Sequence, residues 1–281
     1  YHLVNSFKDA ARGRFLVIVS NDEEGTVESG LPYGAVSGLL NRRQPAIIKR
    51  HFATPYELCK IKEVDSKYYS MLRASLNKNV TAILACNPSS LLLLADQLSE
   101  HAEILIKDLR DGTVHPAYAP HPSIRPAFDN YFKKDPERAY EIEKLMGRNG
   151  RLTPRDIWPQ LQVLSCWKGG PMSFYLDRLP DYYGDIPIRD FGYMASEGRG
   201  SIPISDRGSG GILAITSHFF EFVEESDIDS ENPRFLTLDK LENGGRYYIH
   251  FTTSGGLYRY NINDLIEVCG FNQKTPLIRF I

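Results

Sequence analysis

"NVTAILACNPSSLLLLADQLSEHAEILIKDLRDG", residues Asn79–Gly112, decides the fold class. It opens with β-branched and apolar residues, breaks at Asn87-Pro88, and resumes as an apolar pattern recurring every three or four positions until Asp111-Gly112. β-Branched side chains suit a pleated, half-buried surface, whereas the longer spacing lines one face of a helix. Ser89 or Ser90 is the expected N-cap, because a short hydroxyl can accept from the orphan N–H groups of the first turn. The stretch is therefore a βα unit.

The same alternation continues downstream. "WPQLQVLSCW" (158–167) is a second apolar run, interrupted by "KGGPM" (168–172). "SFYLDRLPDYYG" (173–184) predicts a short helix ended by Gly184, and "DIPIRDFGYM" (185–194) the next strand. Strands alternating with helices predict an α/β fold, a mixed sheet covered by helices. The proline-rich "HPAYAPHPSIRPAFDNYF" (115–132) breaks the pattern, and Asp135-Pro136 then starts a charged helix with Asp as N-cap. Residues near 115–155 read as a helical insertion. From Gly211 the texture changes to short alternating runs separated by "ENGG" and "SGG" turns. That predicts an antiparallel β-rich, barrel-like part over 211–281, following an α/β part over 1–210.

Composition excludes several function classes. The 281 residues are 42% hydrophobic and 24% charged, with a formal net charge of -2. Such a balance gives no global attraction to nucleic acid or an anionic membrane. The basic clusters "NRRQ" (41–44) and "FKKD" (132–135) are short enough to be solvated faces. Four scattered cysteines without a CxxC pair indicate neither structural zinc nor a disulfide framework, and they fit a reducing, cytoplasmic setting. No apolar run reaches bilayer length. The seven histidines have no partner at HxxxH or HxH spacing, and no G-x-S-x-G elbow is present. "GRGSIPISDRGSGG" (198–211) is glycine-rich, but no Lys-Ser or Lys-Thr pair follows it, and a β-run rather than a helix comes next. The chain opens without Met, which reads as a trimmed or partial polypeptide.

Three stretches carry the chemical signal. "LSCWKGG" (164–170) ends a strand on two glycines, "FGYMASE" (191–197) offers an aromatic ring and a carboxylate, and "GLYRYNIND" (256–264) ends on Asp264. Ligands of open α/β sheets gather at the carboxyl ends of strands, so three such ends can build one pocket. With a nucleotide as ligand, each component has a task. Gly169 and Gly170 let adenine approach main chain, and Tyr193 offers a face for stacking. Glu197 can hold a divalent cation, and Asp264 can accept from both ribose hydroxyls. Ala195 and Ser196 leave room for phosphate; Glu197, with Ser196 beside it, is the expected catalytic pair.

The runs "LSCWKGGPMSFYLDRLPDYYGDIPIRDFGYMASEGRGSIPI", "FFEFVEE" and "GGRYYIHFTTSGGLYRYNINDLIEV", with "ESGLPYGAVSG" and "ILACNPSSL" upstream, resemble the Gretchen Hagen family of acyl-acid amido synthetases, within the adenylate-forming enzymes. The resemblance implies the large N-terminal domain of such enzymes and an ATP-dependent ligase using Mg2+. A carboxylic acid would form an acyl-adenylate, which an amino acid amine then attacks. It implies that Tyr193 to Glu197 is a nucleotide motif, that Asp264 binds ribose, and that Arg259 braces its strand or approaches phosphate. Three departures stand beside it. The family's Ser/Thr-rich glycine loop has no counterpart here and would fall before Tyr1. The chain stops near where the family continues into a mobile C-terminal domain, so this piece alone is expected to be inactive. Asn263 stands where the family usually has Gly. A degenerate relative that binds a ligand or partner without catalysis, and an acyl-CoA synthetase, are the alternatives. The acyl acid, the amino acid and the oligomeric state have no local signature.

Overall fold

The computed structural model describes residues 2–281, and it divides into two compact units. The first runs to Ser165 and includes Tyr175–Pro187; the second is Cys166–Phe174 with Ile188–Ile281.

In the first unit, β1 (Arg14–Ile18), β4 (Val80–Ala85) and β5 (Val163–Ser165) are parallel neighbours with β4 central; β2 (Gly25–Thr26) and β3 (Pro32–Tyr33) form a separate small hairpin. β4 is buried at five of its six positions, the condition under which a strand reads as a continuous apolar run rather than an alternating one. The cap of the following helix, Pro88–Glu100, is Asn87 rather than a serine: its side chain accepts from Ser89 N at 2.9 Å, with Pro88 in the first turn. With Pro88 at the first helical position, the cap falls two residues before Ser89.

The single helix expected up to Asp111 is two, Pro88–Glu100 and Ala102–Asp111, because His101 leaves helical geometry at φ -102, ψ 14. Its ring lies 4.9 Å from Tyr118 and 5.8 Å from Tyr69, centroid to centroid. The proline-rich segment is a run of 3-10 turns, Pro116–Tyr118 and Arg125–Phe128, held by buried polar groups. Asp108 accepts from Tyr69 Oη (2.5 Å), Thr113 Oγ1 (2.6 Å) and His115 N (2.5 Å). Arg73, fully buried, donates to the carbonyls of Thr113, Phe132 and Lys133. Asp135 then caps Pro136–Asn149 as expected, accepting from Arg138 N at 3.1 Å.

The second unit contains β6 (Ile188–Arg189) and an antiparallel sheet of β7 (Ser201–Ile202), β8 (Gly211–Leu213), β9 (Phe219–Glu224), β10 (Arg246–Thr252), β11 (Tyr260–Asn272) and β12 (Thr275–Phe280), in the order β7-β8-β12-β11-β10-β9. Phe222, Ile249, Phe251, Ile266, Val268 and Ile278 are completely buried in its core. "GLYRYNIND" does not end a strand at Asp264. Tyr260–Asn272 is one strand interrupted by a bulge, where its pairing with β10 jumps from Asn261↔His250 to Leu265↔Tyr248. Two extra residues on β11 are absorbed there, and Asn263 takes the left-handed φ of 62°.

Candidate functional site

Phe191–Gly200 forms a β-hairpin, not the close of a strand. β6 ends at Arg189; Tyr193 O accepts from Gly200 N (2.9 Å) and Ser201 N (3.0 Å), and Ala195 N donates to Gly198 O (3.0 Å). Ala195 to Glu197 are the tip, so small residues there serve a tight reversal as well as any ligand. Arg199 knits the base, donating to Phe191 O (2.6 Å), Ser201 O (2.9 Å) and Met194 Sδ (3.4 Å). Gly200 allows the hairpin to close on an aromatic ring: a Cβ there would lie 2.1 Å from Tyr193 Cδ1. Gly192, at φ 79°, makes the preceding turn.

Tyr193 therefore lies in the core of the second unit, 8% exposed, parallel to Phe280 (6.2 Å, 5°) and tilted against Phe251 (6.1 Å). Its hydroxyl donates to Asp264 Oδ2 at 2.6 Å. Burial first, then that carboxylate, pushes the phenol well above the ordinary tyrosine range, so it stays a donor. The bulge in β11 brings Asp264 to Tyr193, with Asn263 N donating to Asn261 Oδ1 at 2.7 Å to fix the turn. Asp264 Oδ1 accepts no hydrogen bond among the described residues.

Asp190 ties the glycine segment to the hairpin. It is 4% exposed, and its carboxylate accepts from Lys168 N (2.6 Å) and Gly192 N (2.5 Å). Burial nonetheless raises its pKa, with those two N–H groups and Lys168 opposing. Trp167 Nε1 donates to Gly192 O at 3.2 Å in the same direction. Lys168 turns its ammonium onto the carbonyls of Ile188 (3.1 Å) and Asp206 (2.6 Å), and burial lowers its pKa.

These contacts enclose a cavity of about 230 Å³ whose lining includes Trp167, Gly169, Asp190, Tyr193, Asp264 and Phe280. Of the residues singled out by sequence, Gly169, Tyr193 and Asp264 meet there. Gly170, at φ 57°, lines an adjoining recess of about 260 Å³ with Arg279 and Glu267. Ala195, Ser196 and Glu197 do not line either hollow; Ser196 is exposed at the hairpin tip, and Glu197 is near enough for its charge to raise the Tyr193 pKa. Arg259 is elsewhere. Its guanidinium grips Glu221 through two hydrogen bonds (2.9 and 2.6 Å) over the ring of Phe235. Sequence reading assigned no site role to Trp167, Asp190 or Phe280. Asp190 had a signal, an acid between a buried strand and a glycine.

The chain superposes on acyl acid amido synthetase structures: AtGH3.15 in complex with 2,4-DB gives a TM-score of 0.84 at 20% identity over 100% of this chain and 49% of that one. The chain belongs to the GH3 family, with its N-terminal domain matched over residues 1–188 and its central domain over 211–281. It is 31% identical to jasmonoyl-L-amino acid synthetase JAR6 of Nicotiana attenuata over 64% of this chain and 32% of that protein. A probable indole-3-acetic acid-amido synthetase, GH3.11 of Oryza sativa subsp. japonica, is 25% identical over 96% of this chain and 49% of its own length. The chain thus spans between a third and a half of these relatives. Among the described residues, no helix is long and apolar enough to cross a membrane.

Proposed function

We propose that this chain carries the nucleoside-binding part of an ATP-dependent acyl-acid amido synthetase, which adenylates a carboxylic acid and conjugates it to an amino acid. The reading rests on one observation: Gly169, Tyr193 and Asp264, distant in sequence, line a single cavity, with Tyr193 bonded to Asp264.

The cavity suits the adenosine end of ATP. At about 230 Å³ it lies just under the range of about 300–1,000 Å³ usual for ligand pockets, and its walls are mostly apolar. No Lys or Arg lines it, so the triphosphate charge must be met by other groups. Asp264 offers Oδ1 to the ribose hydroxyls while Tyr193 holds Oδ2, and Gly169 exposes backbone where the base approaches. Glu197, with Ser196, is assigned to the phosphate side at the hairpin tip. Mg2+ would be held there by Glu197, with phosphate oxygens and water completing its shell, and would supply neutralisation of phosphate charge. Activation of the acid is needed because oxide is a poor leaving group, whereas AMP departs readily from the mixed anhydride. Arg259 is given a bracing role, because its guanidinium is already satisfied by Glu221. A cytoplasmic setting belongs to the same reading and agrees with four free thiols.

The test is pyrophosphate release by the full-length protein across a panel of carboxylic and amino acids, repeated with Glu197→Gln. We expect acid-dependent release and amide product, with exchange in the variant slowed by about 100-fold or more, the size of loss typical for a transition-state electrostatic group. Unchanged exchange in Glu197→Gln removes that residue from the chemistry, and no acid-dependent release for any acid overturns the function.

A further inference from the structure

The first unit carries a second concave feature, at the amino ends of its strands. Arg12-Gly13-Arg14 enters β1 between two other segments. On one side Arg14 N donates to Asn79 O at 2.8 Å; on the other Phe15 N donates to His51 O at 2.7 Å. Gly13 permits the close approach, since a Cβ there would lie 2.5 Å from Asn79 O and 2.3 Å from Thr81 Cγ2. Arg12–Arg14, Arg50–His51 and Asn77–Asn79 consequently run side by side and line a recess of about 370 Å³.

The lining is cationic, and among the described residues only its Arg12 has an ion-pair partner, Asp9, which is not part of the lining. It contains Arg12, Arg14, Arg50 and Lys78, with His51, and no carboxylate. Of the neighbouring acids, Asp9 pairs with Arg12 of the lining at 2.9 Å, and Asp135 accepts from Asn77 Nδ2 at 3.3 Å and caps the helix behind. Among the described residues, Arg14, Arg50 and Lys78 have no ion-pair partner within 4.0 Å. Lys78 is half-buried, and its pKa is lowered by burial first and then by Arg14 and Lys133, with Asp135 the opposing charge. Converging like charges cost free energy that a bound anion would relieve. None of these residues belongs to the short basic runs of the sequence; the fold assembles them from three places.

We propose that this recess is a binding site for a small molecule bearing two or more phosphate groups. Guanidinium forks match pairs of phosphate oxygens, Lys78 adds a point charge, and Asn77 and Asn79 add neutral amides. A concave volume of about 370 Å³ suits a compact polyanion better than an extended acidic peptide. The site lies at the edge of the parallel sheet opposite to the carboxyl ends where α/β folds gather substrates, so its ligand is separate from the nucleotide of the proposed reaction.

The experiment is calorimetric titration of the full-length protein with inorganic tripolyphosphate at low and moderate salt. Arg14→Gln/Lys78→Gln should bind at least about 10-fold more weakly, on the scale of two lost charge-assisted contacts. The exposed Arg50→Gln alone should weaken binding several-fold, which guards against misfolding of the double variant. Asp264→Ala should leave binding here unchanged, and the double variant should retain pyrophosphate exchange. Equal affinity in wild type and double variant, or no binding to wild type, overturns the site. Displacement by a poly-glutamate peptide at equal charge overturns its phosphate selectivity. Loss of exchange in every protein, with tripolyphosphate binding intact, would refute the amide-synthetase reading and leave this site standing.

Discussion

Tyr193→Phe isolates one bond. The ring is fixed independently of its hydroxyl by Phe280, Phe251 and the absent Cβ of Gly200, so the substitution keeps the packing and deletes only the 2.6 Å hydrogen bond to Asp264 Oδ2. A hydrogen bond to a charged group contributes about 1.5–3 kcal/mol. Asp264 is partly exposed, so water replaces some of that, and about 1–2 kcal/mol is the net expectation. If the hydroxyl holds Asp264 for ribose, the same quantity appears as a 5- to 30-fold rise in the ATP dissociation constant. The assay is titration of full-length wild type, Tyr193→Phe, Asp264→Ala and the double variant with ATP and with ATP lacking the ribose hydroxyls. Tyr193→Phe should lose affinity for ATP and little for the deoxygenated analogue. With Asp264 removed, it should lose nothing further, because the two act as one unit. Equal losses for both nucleotides, or strictly additive losses in the double variant, would refute the positioning role. The hydroxyl also has an alkaline signature. Its folded pKa is raised, so the stability it contributes is complete below about pH 10 and declines as pH rises above that, in wild type but not in Tyr193→Phe.

Other residues make sharper stability tests. Gly200→Ala drives a methyl into a packed ring at 2.1 Å and should cost about 1–3 kcal/mol in denaturant unfolding while weakening ATP binding; wild-type stability would mean the hairpin does not close on Tyr193. Asp108→Asn substitutes a donor for one of two acceptor oxygens facing Tyr69, Thr113 and His115 N, and should cost about 2–4 kcal/mol by the same measurement, with a cost under about 0.5 kcal/mol counting against the buried network. His250, 4% exposed, has its pKa lowered chiefly by burial, so it favours the fold while neutral: stability should fall as pH drops below about 6.5, and His250→Gln should flatten that slope in acid-unfolding curves.

Periodic elements were legible in the sequence because burial writes them directly. β4 is buried along its length and reads as an apolar run, and Asp135-Pro136 is both a local signal and the observed cap. What escaped prediction was set by contacts from outside the segment. The break at His101 follows packing on Tyr69 and Tyr118, which no helical pattern in 91–111 encodes. "IPIRDFGYM" reads as one continuous strand, yet only Ile188–Arg189 form β6 and Met194 pairs instead with Arg199 in the hairpin, because Asp190 accepts from Gly192 N and starts the turn. At the site, Gly169, Tyr193 and Asp264 were singled out as residues of suitable type at expected strand ends, and the three line one cavity, with Asp264 inside β11 rather than at its end. For Arg259 the sequence leaves bracing and phosphate contact open, because its partner, Glu221, lies on β9 and has no sequence relation to it.

Asn263 shows how the cavity and the core depend on each other. Two extra residues in β11 leave the flanking register pairs, Asn261↔His250 and Leu265↔Tyr248, intact on either side. The bulge must therefore be absorbed within Ile262 to Asp264, and a left-handed residue at φ 62° absorbs it. Glycine would enter that region most easily, but asparagine tolerates it better than other side chains do. Here Asn261 Oδ1 adds a bond to Asn263 N at 2.7 Å that secures the turn. Ile262 on one side of Asn263 packs on the buried core, and Asp264 on the other receives Tyr193, itself a core residue. Both neighbours of the strained position are anchored in the same hydrophobic cluster. An asparagine at this left-handed position is thus compatible with a fixed carboxylate, because the core, rather than the freedom of the turn residue, fixes where Asp264 lies.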